Sequence, residues 1–341
     1  MKVRAVVEKL LEVKNLKIHF PTKSSIFARP QVVRAVDNIS FDVYAGEVLG
    51  IVGESGCGKS SLARSFVGLN PITAGQIIFQ GATHLENLDN NAWRHIGRDI
   101  QFIFQDPIAS LNPRMTVAEI IAEPLVANSI NMNATTRMTE VANMLSLVGL
   151  SSEYLNRYPS ELSGGQCQRV GIARALILKP KLLICDEAVS ALDVSIKAQI
   201  INLLKDLQQQ LHLTIIFISH DLSVVKHICD RVLVMYLGHV MELGPKDSLY
   251  KNCHHPYTQI LLSAVPLANP RLARAKPVKT LAGELPSMVN PPVGCVFSTR
   301  CPFADDKCKR QRPELTAMVD GSMVACFKPV GMISSETSSR T

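Results

Sequence analysis

Eight consecutive residues, Gly53-Glu54-Ser55-Gly56-Cys57-Gly58-Lys59-Ser60, follow the pattern G-x-x-x-x-G-K-S/T. Chemically this is a phosphate cradle. Glycines let successive backbone N–H groups wrap an anion, and the N-terminus of the helix that follows adds favourable partial charge. Lys59 can neutralise β- and γ-phosphate oxygens, and Ser60 can ligate Mg²⁺. An incidental glycine turn is the alternative, but a buried apolar run precedes the pattern and the helix-compatible stretch Ser61 to Leu69 follows it, as the cradle requires. A second chemical feature is Asp186-Glu187, two acids directly after the apolar run Leu182 to Cys185. Adjacent carboxylates at the end of a buried strand imply a cation or a proton-transfer task. Asp186 suits a hold on Mg²⁺, and Glu187 suits polarising an attacking water.

The elements that must position these groups are legible nearby. Val48 to Val52, Leu182 to Cys185 and Thr214 to Ser219 are apolar on both faces, as central parallel strands covered by helices are. Each ends at polar residues, the third at His220. Open α/β sheets bind ligands at the carboxyl ends of their strands, so three such ends point to one site. Residues 107–165 are rich in Leu, Ile, Val and Met at helical spacing and read as an inserted helical subdomain. After about residue 245 the composition shifts, and Pro286, Pro291, Pro292 and Pro302 break any long periodicity. The expectation is an irregular C-terminal extension over 265–330, ending in a disordered polar tail over 331–341. No internal repeat is present.

Composition bounds the rest. A chain of 341 residues, 47% apolar, can bury a substantial core. No stretch approaches the roughly 20 apolar residues of a membrane-spanning helix, and Glu8 and Lys9 stand where a secretory signal would be apolar. A membrane role therefore needs partner subunits. The net charge of +7 is scattered except for Arg271 to Lys279, which reads as a solvated linker rather than a nucleic-acid patch. The nine cysteines fit a reducing cytoplasm better than a disulfide scaffold.

Leu162-Ser163-Gly164-Gly165-Gln166 resembles the signature motif of ABC (ATP-binding cassette) ATPases. The resemblance runs in order from about residue 10 to 330 through Phe20, the phosphate loop, Gln105, the signature, the acidic pair, Ser190-Ala191-Leu192-Asp193 and His220. It implies an α/β fold with a P-loop NTPase (RecA-like) core, an antiparallel β subdomain and the inserted helices, over residues 10–264. It also implies roles. Phe20 stacks on adenine, with a core phenylalanine as the alternative. Gly53, Glu54, Ser55, Gly56, Cys57, Gly58, Lys59, Ser60 and Ser61 hold the phosphates. Ser60, Gln105 and Asp186 surround Mg²⁺, while Glu187, Gln105 and His220 serve hydrolysis and Asp193 sits between subunits. Ser163 and Gly165 would bind the ATP held by an opposite subunit, which implies a head-to-tail dimer closing on two ATP molecules. Two departures are visible: Ala188 where the family usually has proline, and Cys167 where arginine is commoner.

A single cassette without membrane segments resembles an importer subunit. Phe104-Gln105-Asp106-Pro107 to Leu111-Asn112-Pro113-Arg114, Cys167, His255-Pro256-Tyr257-Thr258, and Gly283-Glu284-Leu285-Pro286 through Gly294-Cys295 to Cys301-Pro302 resemble the oligopeptide and dipeptide branch, its F-type subunits above all. That resemblance implies a related D-type ATPase as the other half of a heterodimer, two membrane permeases, an extracytoplasmic peptide-binding protein, no nucleic-acid partner, and a peripheral place on the cytoplasmic face of the membrane. Import of another solute, such as nickel or glutathione, and a non-transport ABC ATPase are the alternatives. Cys295, Cys301, Cys308 and Cys326 lack the C-x2-C pairs of structural zinc. Segments of this kind in related importer subunits can hold a 4Fe-4S iron-sulfur cluster; zinc, and unmetallated thiols or disulfides, are the other readings. Cys57, Cys167, Cys185, Cys229 and Cys253 read as small packing residues.

Overall fold

A computed structural model describes residues 8–22, 31–265 and 283–330. In chain order the strands and helices begin with β1 (Lys9–Thr22), β2 (Gln31–Tyr44), β3 (Val48–Val52), α1 (Lys59–Ser65), β4 (Ala74–Phe79), β5 (Thr83–His84), α2 (Asn90–Asp99) and β6 (Ile100–Ile103). Then follow α3 (Val117–Ala127), α4 (Ala134–Leu147), α5 (Gly164–Leu176), β7 (Leu182–Asp186), α6 (Val194–Leu211), β8 (Thr214–Ile218), α7 (Leu222–Ile228), β9 (Arg231–Tyr236) and β10 (His239–Pro245). The described chain ends with α8 (Lys246–Lys251), α9 (Pro256–Ser263), α10 (Asp306–Arg310), β11 (Thr316–Ala317) and β12 (Met323–Val324).

The strands form two sheets. The smaller is antiparallel in the order β2-β1-β4-β5. The larger runs β11-β12-β10-β9-β3-β8-β7-β6, and β9, β3, β8, β7 and β6 within it are parallel. All five residues of β3, β7 and β8 are buried, as the continuous apolar runs require for strands covered on both faces. Alternation divides those strands between two cores. Leu49, Ile51, Leu182, Ile184, Ile216 and Ile218 face the antiparallel sheet and α1. Val48, Val52, Leu183, Cys185, Ile215 and Phe217 face the helices.

The helical insertion begins with a reciprocal cap: Thr116 Oγ1 accepts from Glu119 N–H at 3.3 Å, while Glu119 Oε2 accepts from Thr116 N–H at 2.7 Å. Buried Val117, Ile120, Ile121 and Leu125 of α3 and Val141, Met144 and Leu145 of α4 pack with α5. No strand occurs among the described residues between Ile103 and Leu182, in line with the helical spacing of that segment.

The described part of the C-terminal extension is largely irregular, as expected, apart from α10 and one short hairpin. Its hairpin β11-β12, closed over Asp320-Gly321, joins the edge of the large sheet, with Glu242 of β10 opposite Val324 and Leu243 opposite Met323. The buried carboxylate of Glu242 organises that seam by accepting from the N–H groups of His254 at 2.7 Å and His255 at 3.0 Å. Short pairings of this kind give little sequence pattern, because two residues cannot display a period. The basic stretch 271–279 and the tail 331–341 lie outside the described residues.

Candidate functional site

β3, β7 and β8 lie side by side, so their carboxyl ends deliver Gly53, Asp186-Glu187 and Ser219-His220 to one edge of the sheet. Two glycines of the phosphate loop are sterically obligatory. A Cβ on Gly53 would stand 2.2 Å from the Met235 carbonyl oxygen. Gly58, at φ +106°, would carry one 2.0 Å from the Ala35 carbonyl oxygen. Glycine at these points lets the loop press against β9 and β2 and turn directly into α1.

Lys59 is buried and folds back on the loop, donating to the carbonyl oxygens of Gly53 and Glu54 at 2.9 Å each. Cys57 is buried inside the loop, its thiol raised above its ordinary pKa by burial. The Ser60 hydroxyl donates to Asp186 Oδ1 at 2.9 Å. Burial raises the Asp186 carboxyl above its ordinary value, against the lowering effect of the Ser60 hydrogen bond and of Arg64 and Lys59. A hard cation between Ser60 and Asp186 would reverse that balance, and the donor set of hydroxyl, carboxylate and nearby Gln105 amide suits Mg²⁺.

Glu187 has a left-handed backbone, φ +50°, uncommon for a residue with a side chain. The turn is held without proline: the Glu187 carbonyl accepts from Ser190 N–H at 3.0 Å and Ser190 Oγ at 2.9 Å, and Ala188 is buried behind it. Its carboxylate is shared. Gln105 Nε2 donates to Oε2 at 3.0 Å, and His220 Nδ1 lies 3.3 Å from Oε1. His220 is well exposed, with 58% of its side chain accessible, so it can reach a ligand placed above the acids.

A cavity of about 320 Å³ is lined by Phe20, Ser55, Gly56, Gly58, Lys59, Ser60, Ser61, Gln105 and Glu187 among others. Gly53, Glu54, Cys57, Asp186 and His220 are not in its lining, though Asp186 and His220 contact the lining residues Ser60 and Glu187. Phe20 is only half buried in β1, opposite Val33. Three apolar lining residues were not singled out in the sequence: Val33, Ala35 and Met288. Met288 comes from the C-terminal extension, and its carbonyl accepts from Arg34 N–H at 3.1 Å. No local motif marks them, because their role depends on β2 and the extension meeting.

Ser163, Gly165 and Asp193 are not in that cavity's lining. Ser163 caps α5 in a reciprocal pair with Gln166, whose Oε1 accepts from Ser163 N–H at 2.8 Å. Gly165 is packed so that a Cβ would stand 2.5 Å from Ile196 Cγ2. Asp193 is exposed at the start of α6, makes no side-chain cap hydrogen bond there, and is followed by Val194 at 85% exposure.

None of the nine cysteines forms a disulfide. Cys57, Cys167, Cys185 and Cys229 are buried and Cys253 is half buried. Cys295, Cys301, Cys308 and Cys326 line one apolar cavity of about 20 Å³ with Phe297, Phe303 and Phe327. Among the described residues no group of three or more His, Cys, Asp or Glu side chains is arranged to hold a metal ion. Burial pushes the thiols of Cys295 up to about 11 and Cys326 up to about 12, so they pack as neutral groups.

The family model "ABC transporter" matches residues 36–190, and "Oligopeptide/dipeptide transporter, C-terminal region" matches residues 241–308. The chain is 54% identical over 324 residues to the oligopeptide transport ATP-binding protein OppF of Haemophilus influenzae, covering 94% of this chain and 97% of that one. It is likewise 54% identical to OppF of Escherichia coli, covering 94% and 96%. Against the dipeptide transport ATP-binding protein DppF of Haemophilus influenzae it is 47% identical, covering 93% and 96%. Among solved structures, the dimeric post-hydrolysis form of the cassette MJ0796 with ADP and phosphate superposes at a TM-score of 0.62, with 28% identity over 69% of this chain and 98% of that one. CbiO1 of Clostridium perfringens, part of the complex cbiONQ, gives 0.64, with 27% identity over 79% and 98%.

Proposed function

The chain belongs to the ABC transporter ATP-binding proteins, in their oligopeptide and dipeptide branch, and from that membership we infer that it binds and hydrolyses ATP to power peptide import. The observation that carries the inference is the convergence of Lys59, Ser60, Asp186, Glu187, Gln105 and His220 at adjacent strand ends in a chain 54% identical to an oligopeptide-transport ATPase.

Each residue has a task. Phe20 stacks on the base, and the loop Gly53 to Ser61 holds the phosphates, with Lys59 leaving its own loop carbonyls for phosphate oxygens. Ser60 and Asp186, with Gln105, hold Mg²⁺, which supplies charge neutralisation at the β- and γ-phosphates when bound. Glu187 orients a water and takes its proton as the water oxygen bonds to the γ-phosphorus and the β–γ bridging P–O bond breaks. Gln105 and His220 keep that carboxylate aimed. The supporting geometry is the shared carboxylate and the left-handed turn at Glu187.

A second subunit completes the site. Ser163, Gly165 and Asp193 stand outside this chain's cavity, and the similar cassette MJ0796 has a dimeric structure. We assign the second subunit to a related D-type ATPase; a subunit count on the purified complex decides, and a second copy of this chain in its place rejects the assignment. The peptide-binding protein and two permeases follow from the importer family. No described helix is long and apolar enough to cross a membrane; membership of the importer family supports a peripheral place on the cytoplasmic face through the permeases. An open groove of about 830 Å³ between core and helical insertion, lined by Phe102, Phe104, Gln105 and Pro124, supports docking there, next to the catalytic glutamine. Residues 10–264 act as the ATPase and 265–330 as the extension.

The four C-terminal thiols are assigned to a soft metal centre, an iron-sulfur cluster ahead of zinc. What supports this is one shared cavity lined by all four cysteines. Iron quantification and visible absorbance after anaerobic purification test it; a colourless, iron-free, folded protein rejects the cluster. For the function as a whole, reconstitution of the complex in vesicles should give peptide uptake that needs hydrolysable ATP. Retention on DNA at physiological salt without permeases would overturn it.

A further inference from the structure

Glu54 places a negative charge inside a loop built to hold an anion. Its carboxylate is met by a fork: Arg300 Nη1 donates to Oε2 at 2.8 Å and Nη2 to Oε1 at 3.2 Å. Arg300 is 7% exposed at the side chain, and Nη1 also reaches the Tyr236 hydroxyl at 3.3 Å. The backbone of Glu54 is held too, its N–H donating to the Tyr257 hydroxyl at 3.0 Å. Behind these contacts Tyr236, Tyr257 and Phe297 pack ring against ring at 4.8 to 5.3 Å between centroids. Tyr257 and Arg300 are separated from Glu54 by 203 and 246 residues and fall in the stretch that matches the C-terminal region, not the cassette.

We propose that Arg300 is a positioning residue of the nucleotide site, holding the phosphate loop in its binding shape through Glu54 and cancelling the Glu54 charge that would repel a triphosphate. Bidentate guanidinium–carboxylate pairs fix orientation as well as charge, and one that is mostly withdrawn from water is little screened. The C-terminal extension is thereby a working part of the ATP site, a role consistent with Met288 reaching the same cavity. Arg300 touches no phosphate itself; it acts through Glu54.

This rests on reading the Lys59 loop as the ATP site, and the experiment separates the two. Fluorescent-ATP affinity of the full chain, and KM and kcat of the assembled complex, are measured for wild type, Lys59→Ala, Arg300→Ala, Arg300→Lys, Glu54→Gln and Arg300→Ala with Glu54→Gln. Arg300→Ala should weaken nucleotide affinity about tenfold and raise KM in step, with kcat changed less than about twofold. Arg300→Lys, which keeps charge but loses the fork, should recover part of the loss. In the Glu54→Gln background, removing Arg300 should cost much less, since the charge it cancels is gone. Wild-type affinity in Arg300→Ala, or an equal loss in both backgrounds, overturns the proposal. If Arg300→Ala does not fold, Arg300→Lys and the Glu54→Gln comparison decide. Loss of binding in Lys59→Ala with none in Arg300→Ala refutes this inference alone; wild-type binding in Lys59→Ala refutes the site itself.

Discussion

The nucleotide cavity and the four-cysteine cavity gather chemistry by opposite means. At the carboxyl ends of β3, β7 and β8, Ser60, Gln105 and Glu187 line about 320 Å³ of open space, and hydrogen bonds already tie Ser60 to Asp186 and Gln105 and His220 to Glu187. In the C-terminal lobe, four thiols line about 20 Å³ among phenylalanines, held by turns and a two-residue hairpin rather than by long elements. Parallel strands buried on both faces cannot shift without disrupting two cores, so the first site is set before any ligand arrives. The second has no such frame. Burial holds the thiols of Cys295, Cys301 and Cys326 above their ordinary values.

The contrast can be broken experimentally. Its largest expected effect is at Glu187, where Glu187→Gln in the complex should lower ATP hydrolysis about a thousandfold while leaving nucleotide binding intact and trapping the closed dimer. Near-normal hydrolysis would remove Glu187 from the proton-transfer role. Lys59→Ala should weaken nucleotide affinity about a hundredfold, read by equilibrium titration, because it removes a buried ammonium from the proposed phosphate loop. In the lobe, Cys301→Ser should abolish any bound iron and lower the melting midpoint by several degrees, yet leave nucleotide affinity within about threefold. If it instead matched Lys59→Ala, the two sites would not be separately built.

The smallest effect is acid sensitivity at the seam between the β subdomain and the lobe. His239 is buried between Asp37 at 3.9 Å and Arg312 at 3.1 Å, with Arg34 also nearby. Burial, aided by Arg312 and opposed by Asp37, lowers its pKa to about 4. Because the fold prefers the neutral ring, its stabilisation is complete above the unfolded value of about 6.5 and is lost as pH falls from there towards 4. At pH 5 the loss is about 2 kcal/mol, seen as a lower melting midpoint, and His239→Gln should flatten that slope between pH 7 and 5. An unchanged slope in the variant would assign the acid sensitivity elsewhere.

Much of this was readable in one dimension. Val48 to Val52, Leu182 to Cys185 and Thr214 to Ser219 announced central strands because burial on both faces removes polar residues from every position. The phosphate loop and the Asp186-Glu187 pair announced themselves because their functional groups are sequential and depend on one strand end each. Met288, Tyr257 and Arg300 were not legible as site residues. Their partners lie at Arg34 and Glu54, and no periodicity connects positions 203 or 246 residues apart.

The chain's residues alone therefore determined the fold class, the phosphate cradle and the acids beside it, since each follows from local spacing and the apolar pattern of single elements. Tertiary structure decided what those elements meet. The extension pairs with β10, lends Met288 to the lining of the cavity and clamps Glu54 with Arg300, while Ser163, Gly165 and Asp193 are not in that lining. The reason is physical. Backbone pairing and burial act across space, between residues whose identities are individually unremarked until packing makes them neighbours.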